Sequence, residues 1–147
     1  MNVSLREIQK KDKDLLLTWR NDPSIYLLGG QQRKVTLEEH NMWFPKLLED
    51  EKSFNFIITH GQDVGQLRLS FIEKDVYKIT LFFIEKYRKM GLGTQTLKAI
   101  QDTVLERGQK IIAEILKENS ASLYFFTKND FIVKLKSERL MTLEKTI

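Results

Sequence analysis

The chain has 147 residues, 41% apolar and 30% charged, a balance typical of one soluble globular domain spanning residues 1–147. Because it has no cysteine, disulfides, thiolate metal sites and a cysteine nucleophile are excluded, and we expect no bound metal. The net charge of +4 suits an anionic ligand but is too small to indicate nucleic-acid binding. No apolar run approaches the ~20 residues of a membrane helix and no signal-peptide core is present, so we expect a cytoplasmic protein that does not bind membranes.

The first predicted elements are a strand and a helix. The strand covers Val3 to Ile8. Asp12 or Asp14 can cap a helix that continues through Arg20. This helix is expected to stop just before Pro23, because proline disfavours helical geometry at the residue that precedes it.

A second helix is predicted from Leu37 toward Asp50. Thr36 is a typical N-cap, and Glu39 three residues later completes a capping box. Pro45 falls inside this segment, so the helix is expected to kink or split there.

Three strands with short turns follow. They cover Phe54 to Thr59, Val64 to Ile72 and Val76 to Ile84. Such close spacing predicts an antiparallel meander.

The last part of the chain returns to alternating helices and strands. A helix that begins at Gly91 is expected to end near Gly108, a plausible left-handed cap. The strand Lys110 to Leu116 follows this crossover helix, so it should lie parallel to the third meander strand. The remaining predicted elements are a helix over Ser120 to Lys128 and two strands, Phe131 to Lys136 and Arg139 to Leu143, joined through Ser137. The order β-α-α-β-β-β-α-β-α-β-β predicts an α/β (α+β) fold with a mixed sheet of about seven strands and about four helices.

The segment between the third meander strand and the Gly91 helix is a candidate phosphate site. It places Arg88 and Lys89 directly before a turn that contains Gly91 and Gly93. Glycine lets the backbone approach a ligand closely, and the free N–H groups of a helix's first turn attract anions. The segment is neither a P-loop nor a dinucleotide fingerprint, because no G-x-x-x-x-G-K-[ST] is present and Thr96 replaces the third glycine. A tight connection without a ligand is the alternative interpretation.

Arg88-Lys89-Met90-Gly91-Leu92-Gly93 resembles the R/Q-x-x-G-x-G/A signature of the GCN5-related N-acetyltransferases, the GNAT superfamily. A second match lies at Asn119, Ser122, Lys128 and Phe131, which resembles the family's N-x-x-A/S-x-x-x-Y-x-K-x-G-F pattern. The resemblance implies the GNAT fold, an N-acetyltransferase activity, and acetyl-coenzyme A as the cofactor. Its pyrophosphate would bind backbone amides from Met90 to Thr94, and its pantetheine arm would pair with Phe82 to Ile84. The cofactor-binding residues implied in this way are Phe82, Phe83, Ile84, Arg88, Lys89, Met90, Gly91, Leu92, Gly93, Thr94, Asn119 and Ser122.

The catalytic residues are harder to predict. Phe126 stands where many members of the family carry the tyrosine that protonates the thiolate, so Tyr124, Tyr26 or water is left for that role. Glu114 is a candidate base, because a carboxylate within an apolar strand would be partly desolvated and therefore more basic. The alternatives are a salt-bridged Glu114, a base drawn from Glu39 or His40, and a base acting through water. The charged residues that flank His40 favour an exposed position for it.

The acceptor amine is expected to bind the segment after the first strand. The candidate residues for this site are Trp19, Arg20, Asn21, Tyr26 and Trp43. Aromatic faces stack on rings and arginine binds phosphate, so these residues suit a flat anionic substrate, although a core role for the tryptophans is equally open. Trp-Arg-Asn-Asp-Pro also resembles the N-terminal motif of the transferases that acetylate nucleotide-linked amino sugars in pseudaminic or legionaminic acid synthesis.

Three functions therefore remain at this point. The first is acetylation of a UDP-linked 4-amino-4,6-dideoxysugar in bacterial surface-glycan synthesis, by a monomer or homodimer. The second is acetylation of a protein N-terminus or a small amine, as in the related RimJ/RimL-type branch. The third is a non-catalytic coenzyme A-binding module.

Overall fold

The computed structural model describes residues 2–29 and 32–147, which form seven strands and five helices. The strands are β1 (Ser4–Glu7), β2 (Phe54–Thr59), β3 (Asp63–Glu73), β4 (Val76–Phe83), β5 (Lys110–Leu116), β6 (Ile132–Lys136) and β7 (Leu140–Thr146). The helices are α1 (Lys13–Arg20), α2 (Pro23–Tyr26), α3 (Leu37–Glu49), α4 (Leu92–Thr103) and α5 (Ser120–Lys128). Short 3-10 turns cover Lys10–Asp12 and Glu85–Tyr87.

The strands form one mixed sheet in the order β1-β2-β3-β4-β5-β7-β6. Every neighbouring pair is antiparallel except β4 and β5, which run parallel on either side of the α4 crossover. The predicted meander, the parallel strand after the crossover and the closing hairpin are therefore confirmed. The predicted α/β fold with a mixed sheet of about seven strands is confirmed as well.

Strands β4 and β5 separate soon after they begin. They pair only from Val76↔Lys110 to Lys78↔Ile112. Beyond that point β4 continues along β3 as far as Phe83, while β5 continues along β7 as far as Leu116. The sheet therefore opens into a wedge at the carboxyl ends of its two central strands.

Apolar residues pack on both faces of this sheet. On one face, α4 and α5 cover a core that includes Leu97, Ile100 and Phe126. On the other face, α1 and α3 enclose a smaller core that includes Trp19 and Phe82. Both faces of β4 are thus covered near its carboxyl end, where the wedge opens. None of the helices in the described ranges has the length and apolar character needed to span a bilayer.

Local details near α1 and α2 differ from the sequence predictions. Pro23 does not simply stop the first helix but begins α2, with the Asp22 carboxylate accepting from the Ser24 N–H at 2.9 Å. Proline is well suited to the first position of a helix, since its missing N–H is not needed there. Asp12 precedes α1 but makes no capping bond to that helix. Its carboxylate instead accepts from Arg6 through both oxygens at 2.9 Å and from the Gln9 N–H at 2.8 Å.

Two predicted helix endings are also corrected. The Thr36–Glu39 capping box is confirmed, but α3 runs unbroken past Pro45 to Glu49. The predicted cap at Gly108 is wrong, because α4 ends at Thr103. Gly108 instead has φ +97° and donates its N–H to the Ile147 carbonyl at 2.7 Å, just before β5.

Candidate functional site

The turn that enters α4 is built for a backbone ligand. Gly91 is the N-cap residue and has φ +78° and ψ 7°, a left-handed conformation that favours glycine. A Cβ added at Gly91 would meet no atom within 4 Å, so the space above its backbone is open. The Gln95 N–H donates to the Gly91 carbonyl at 3.2 Å, which leaves the N–H groups of Leu92, Gly93 and Thr94 without an acceptor inside the helix. These three donors and the helix dipole make the turn suitable for an anion.

Gly93 has a different role from Gly91. A Cβ added at Gly93 would lie 2.6 and 2.8 Å from two ring carbons of Phe125. The position that a Cβ of residue 93 would occupy therefore faces α5, not open space. The close packing of α4 on α5 requires glycine here, and its contact with the cofactor remains a prediction through its backbone N–H.

The wedge leaves backbone groups of β4 without a strand partner. The Ile84 N–H donates to the Val64 carbonyl at 2.9 Å, on the β3 side. Because backbone groups alternate direction along a strand, Phe82 also faces β3, and Leu81 and Phe83 direct theirs toward the wedge. An extended chain placed in the wedge could hydrogen-bond to the Leu81 backbone and to the Phe83 N–H, whereas the Phe83 carbonyl already accepts from Arg88.

Arg88 bridges the wedge edge to α2. Its Nε donates to the Phe83 carbonyl at 2.9 Å, and a terminal N–H donates to the carbonyl and hydroxyl of Ser24 at 3.2 and 3.1 Å. Its guanidinium thus holds the end of β4 against α2, and a direct phosphate contact remains a prediction. Lys89, which has φ +61°, and Met90 are exposed at the tip of the turn.

Two other predicted cofactor residues form hydrogen bonds at the ends of helix α5. The buried Asn119 caps α5, its side-chain oxygen accepting from the Ser122 N–H at 3.2 Å. Thr94, in the first turn of α4, accepts from Asn129 Nδ2 at 3.3 Å. These bonds tie the first turn of α5 to its cap and the first turn of α4 to the end of α5.

Glu114 lies on the open sheet face beside the wedge. It is 42% exposed, and its Oε1 lies 3.3 Å from Nζ of Lys78 on β4. The expectation that the carboxylate is desolvated is therefore wrong, and the salt-bridged alternative is what the structure shows. A role as base remains a prediction for a solvated, ion-paired carboxylate.

Phe126, which stands at the usual tyrosine position, and Tyr124, a candidate proton donor, lie on different sides of α5. Phe126 is 5% exposed and packs against Phe125 and Phe131, with ring centroids 5.0 and 4.9 Å away. Tyr124 is 69% exposed, and Lys128 Nζ lies 5.9 Å from its ring centroid. Tyr124 is thus on the solvent side of α5, and its catalytic role remains a prediction.

Trp19 and Asn21, predicted to bind the acceptor, have structural partners. Trp19 is buried and meets the Phe82 ring edge-on, with centroids 5.9 Å apart. Asn21 uses both ends of its amide on the Val35 backbone, at 2.7 and 3.0 Å. These contacts place α1 against the end of β4 and against the segment that leads into α3. Tyr26, at the end of α2, is half-buried.

Arg20 and Trp43 form a separate group. The Arg20 Cζ lies 4.0 Å above the centre of the Trp43 ring, and a terminal nitrogen of Arg20 lies 3.0 Å from Nδ1 of His40. None of the ion pairs among residues 2–29 and 32–147 involves Arg20. Burial lowers the pKa of Arg20 from its usual value; the charge of Glu39 opposes this shift and that of Arg33 adds to it. Arg20 is thus a partly desolvated cation without a carboxylate partner in the described chain.

The two alternative bases on α3 are poorly suited to that role. The expectation of an exposed His40 is wrong, because its side chain is fully buried. Burial lowers the pKa of His40 below its usual 6.5. Glu39 binds the Arg33 guanidinium, which lowers the pKa of the carboxyl to about 2. Glu39 is therefore a weak base as well as a cap for α3.

A cavity of about 380 Å³ lies at the carboxyl end of β5, the end at which the wedge opens. Leu116 and the β6–β7 turn line it, including Arg139. The Arg139 guanidinium donates to Gln32 Oε1 at 2.7 Å, so this turn reaches across to the segment after α2. Neither this contact nor the bridge from Arg88 to Ser24 could be predicted, because partners 107 and 64 positions apart leave no local signal in the sequence.

A model of the acetyltransferase (GNAT) domain matches residues 2–132, most of the chain. This protein belongs to the GNAT acetyltransferase family. A comparison with curated protein sequences found no significant match.

Solved structures share the GNAT fold across nearly the whole chain. An acetyltransferase from Thermus thermophilus is 23% identical with a TM-score of 0.85, and the match covers 100% of this chain and 98% of that one. The spermidine N-acetyltransferase from Vibrio cholerae, in complex with CoA and spermine, is 14% identical with a TM-score of 0.85, over 99% and 95% of the two chains. The N-acetyltransferase PseH from Campylobacter jejuni, in complex with acetyl coenzyme A, is 17% identical with a TM-score of 0.73, over 98% of each chain. At these identities the likeness establishes the fold alone.

As a GNAT enzyme, the protein is an N-acetyltransferase that uses acetyl-coenzyme A. The residues present fit that cofactor. The open space above Gly91 and the free donors of α4 suit its phosphates. The edge of β4 beyond Lys78, with the Leu81 backbone and the Phe83 N–H facing the wedge, suits its extended amide arm.

Proposed function

We propose that this GNAT enzyme acetylates the primary amine of a small acceptor that carries an anionic group. The observation that carries the proposal is Arg20, a partly desolvated cation 4.0 Å above the Trp43 ring and without an ion-paired carboxylate in the described chain. Such a guanidinium favours a phosphate or carboxylate and repels a polycation. The most specific acceptor that fits is the 4-amino group of a UDP-linked 4-amino-4,6-dideoxysugar, the class indicated by the resemblance of the Trp19 to Pro23 segment.

Acetyl-coenzyme A, when bound, supplies the acetyl group as a thioester. The free N–H groups of Leu92, Gly93 and Thr94 would hold its phosphates, with Lys89 adding charge at the rim. The wedge-facing backbone groups of Leu81 and the Phe83 N–H would orient its arm. A backbone N–H at the end of β4 would stabilise negative charge that develops on the acetyl oxygen.

Transfer also requires that the acceptor ammonium lose a proton and the departing sulfur gain one. Glu114 is the candidate base, and its carboxylate lies 3.3 Å from Lys78 Nζ beside the wedge. Since Phe126 has no hydroxyl, water, Tyr124 or Tyr26 would supply the proton to the sulfur.

The test is release of free thiol from acetyl-coenzyme A with three acceptors: a UDP-4-amino-4,6-dideoxysugar, a peptide with a free N-terminus, and spermidine. We expect turnover of the nucleotide sugar, and a higher KM for that acceptor in Arg20→Gln with little change in the KM for acetyl-coenzyme A. Arg33→Gln, which removes an exposed arginine paired with Glu39, is the matched control. Preference for the peptide or spermidine would refute an anionic acceptor.

The non-catalytic coenzyme A-binding module considered from the sequence is not retained, because the chain is a GNAT N-acetyltransferase.

A further inference from the structure

His40 is held in a defined chemical state by two neighbours. Its Nε2 lies 2.7 Å from the Lys13 carbonyl, which can only accept a hydrogen bond. Its Nδ1 lies 3.0 Å from a terminal nitrogen of Arg20, which can only donate. The ring must therefore be neutral, with the proton on Nε2 and the lone pair of Nδ1 directed at Arg20.

The neighbours of this histidine ring keep it in place. It is fully buried and lies against Trp43 and Phe44, with ring centroids 5.5 and 5.8 Å away. Trp43 is also the ring on which the Arg20 guanidinium lies. His40 and Trp43 thus fix the position of the Arg20 guanidinium from two sides.

The Arg20 guanidinium remains largely free for a ligand. An arginine has five N–H donors, and within the described chain one of the Arg20 nitrogens has a hydrogen-bond partner, His40. Fixing a long side chain in advance removes an entropic cost of binding, because the ligand no longer has to immobilise it.

We propose that His40 is a positioning residue, which as the neutral Nε2–H tautomer holds Arg20 over Trp43 so that its free N–H groups can bind an anionic oxygen of the acceptor. The inference rests on the proposed function for the anionic character of the acceptor. The buried geometry assigns His40 no contact with the acceptor itself, so it acts through Arg20.

This arrangement is sensitive to pH. Protonation of Nδ1 would turn it into a donor, break its bond to Arg20 and place two cations side by side. The charged groups that face the ring are Arg20, Lys13 and Asp14 from α1, of which only Asp14 favours the protonated form. Since burial lowers the pKa of His40 below its usual 6.5, we expect affinity for the anion to be lost on the acid side of that value.

Two substitutions separate the two hydrogen bonds of His40. In His40→Asn, the side-chain oxygen lies near the position of Nδ1 and can still accept from Arg20. In His40→Gln, the side-chain nitrogen lies near the position of Nε2 and can still donate to Lys13. With UDP as the probe in calorimetry, we expect His40→Gln to weaken binding about tenfold and His40→Asn to weaken it less than about threefold, since only the first loses the bond to Arg20. Thermal melts of both variants identify any loss of folding.

Arg20→Gln completes a double-mutant cycle. If His40 acts through Arg20, adding His40→Gln to Arg20→Gln should weaken UDP binding no further. Independent losses that add up, or equal losses in His40→Asn and His40→Gln, would mean that His40 merely supports the fold and would overturn the proposal.

Nuclear magnetic resonance tests the geometry without any acceptor. The chain has two histidines, so His60→Gln assigns the imidazole signals. We expect His40 to carry its proton on Nε2 at neutral pH, and its titration midpoint to rise in Arg20→Gln because a neighbouring positive charge is removed. A proton on Nδ1, or an unchanged midpoint, would overturn the proposal. If the wild-type protein does not bind UDP, the proposal of a nucleotide-linked acceptor is wrong. The protonation site and the titration midpoint of His40 still decide whether His40 positions Arg20.

Discussion

Gly65 offers a direct test of how closely β3 packs against β4 beside the wedge. This buried residue of β3 lies opposite Phe83 of β4. A Cβ added at Gly65 would lie 2.3 Å from the Phe82 carbonyl oxygen and 3.2 Å from the Phe83 Cα. These two neighbours are backbone atoms, which cannot rotate away as the third neighbour can, the Phe83 ring with its Cδ1 at 3.0 Å. Gly65→Ala must therefore push β3 and β4 apart where β4 borders the wedge.

The expected cost follows from the size of this clash. Inserting a methyl group into a packed core costs about 1–3 kcal/mol, and a backbone neighbour places Gly65→Ala near the upper limit. At about 2–4 °C for each kcal/mol in a protein of this size, a loss of about 3 kcal/mol lowers Tm by roughly 6–12 °C. Because Phe82 and Phe83 move, the KM for acetyl-coenzyme A should also rise.

Differential scanning calorimetry and thiol-release kinetics measure the two effects. Gly29→Ala is the matched control, since a Cβ there would meet its nearest atom at an ordinary 3.6 Å. We expect the control to keep the Tm and kinetics of the original protein. A destabilisation of about 1 kcal/mol would lower Tm by at least about 2 °C. If the Tm of Gly65→Ala lies within about 2 °C of that of the control, the claim that β3 and β4 leave no room for a side chain is refuted.

Three further predictions concern other sites. Gly91→Glu should abolish coenzyme A binding in calorimetry, because it adds bulk and negative charge to an open anion site, and unchanged affinity would contradict that role. Gly93→Ala should destabilise the protein through its clash with Phe125, and the smaller ring-free side chain in Phe125→Leu should restore part of the loss in thermal melts of the double variant. Arg6 lowers the pKa of Asp12, so this carboxylate stabilises the fold above its usual value of 3.8 and loses that contribution as the pH falls through its lowered value. Asp12→Asn should therefore cost about 2 kcal/mol near neutral pH and little in strong acid, as measured by urea unfolding, and an equal cost under both conditions would count against this linkage.

Much of the fold could be predicted because its signals are local. The bounds of β5 and α5 match the predictions residue for residue, since an apolar strand and an Asn119 cap mark them. The Thr36–Glu39 capping box has the predicted hydrogen bonds. The α2 helix was not predicted, although Asp22-Pro23 is a typical helix start, because a proline can mark either the end of one helix or the beginning of the next.

The candidate site was less predictable because its contacts join distant segments. Glu114 lies in an apolar strand, but Lys78, on the neighbouring strand, pairs with it on an exposed face. Arg88 resembles a phosphate ligand in the sequence, whereas its donors go to Phe83 and Ser24. Such partners become visible only when the elements are packed together.

The early separation of β4 and β5 makes two half-sheets that are joined through three residue pairs. Lys78 belongs to one half and Glu114 to the other, so their ion pair spans the junction just beyond the last backbone pairing. If acetyl-coenzyme A binds in the wedge as an extended chain, it would connect the two half-sheets and fix the distance between these two side chains. The expected kinetic consequence is a compulsory order, in which the donor enters first and the amine follows.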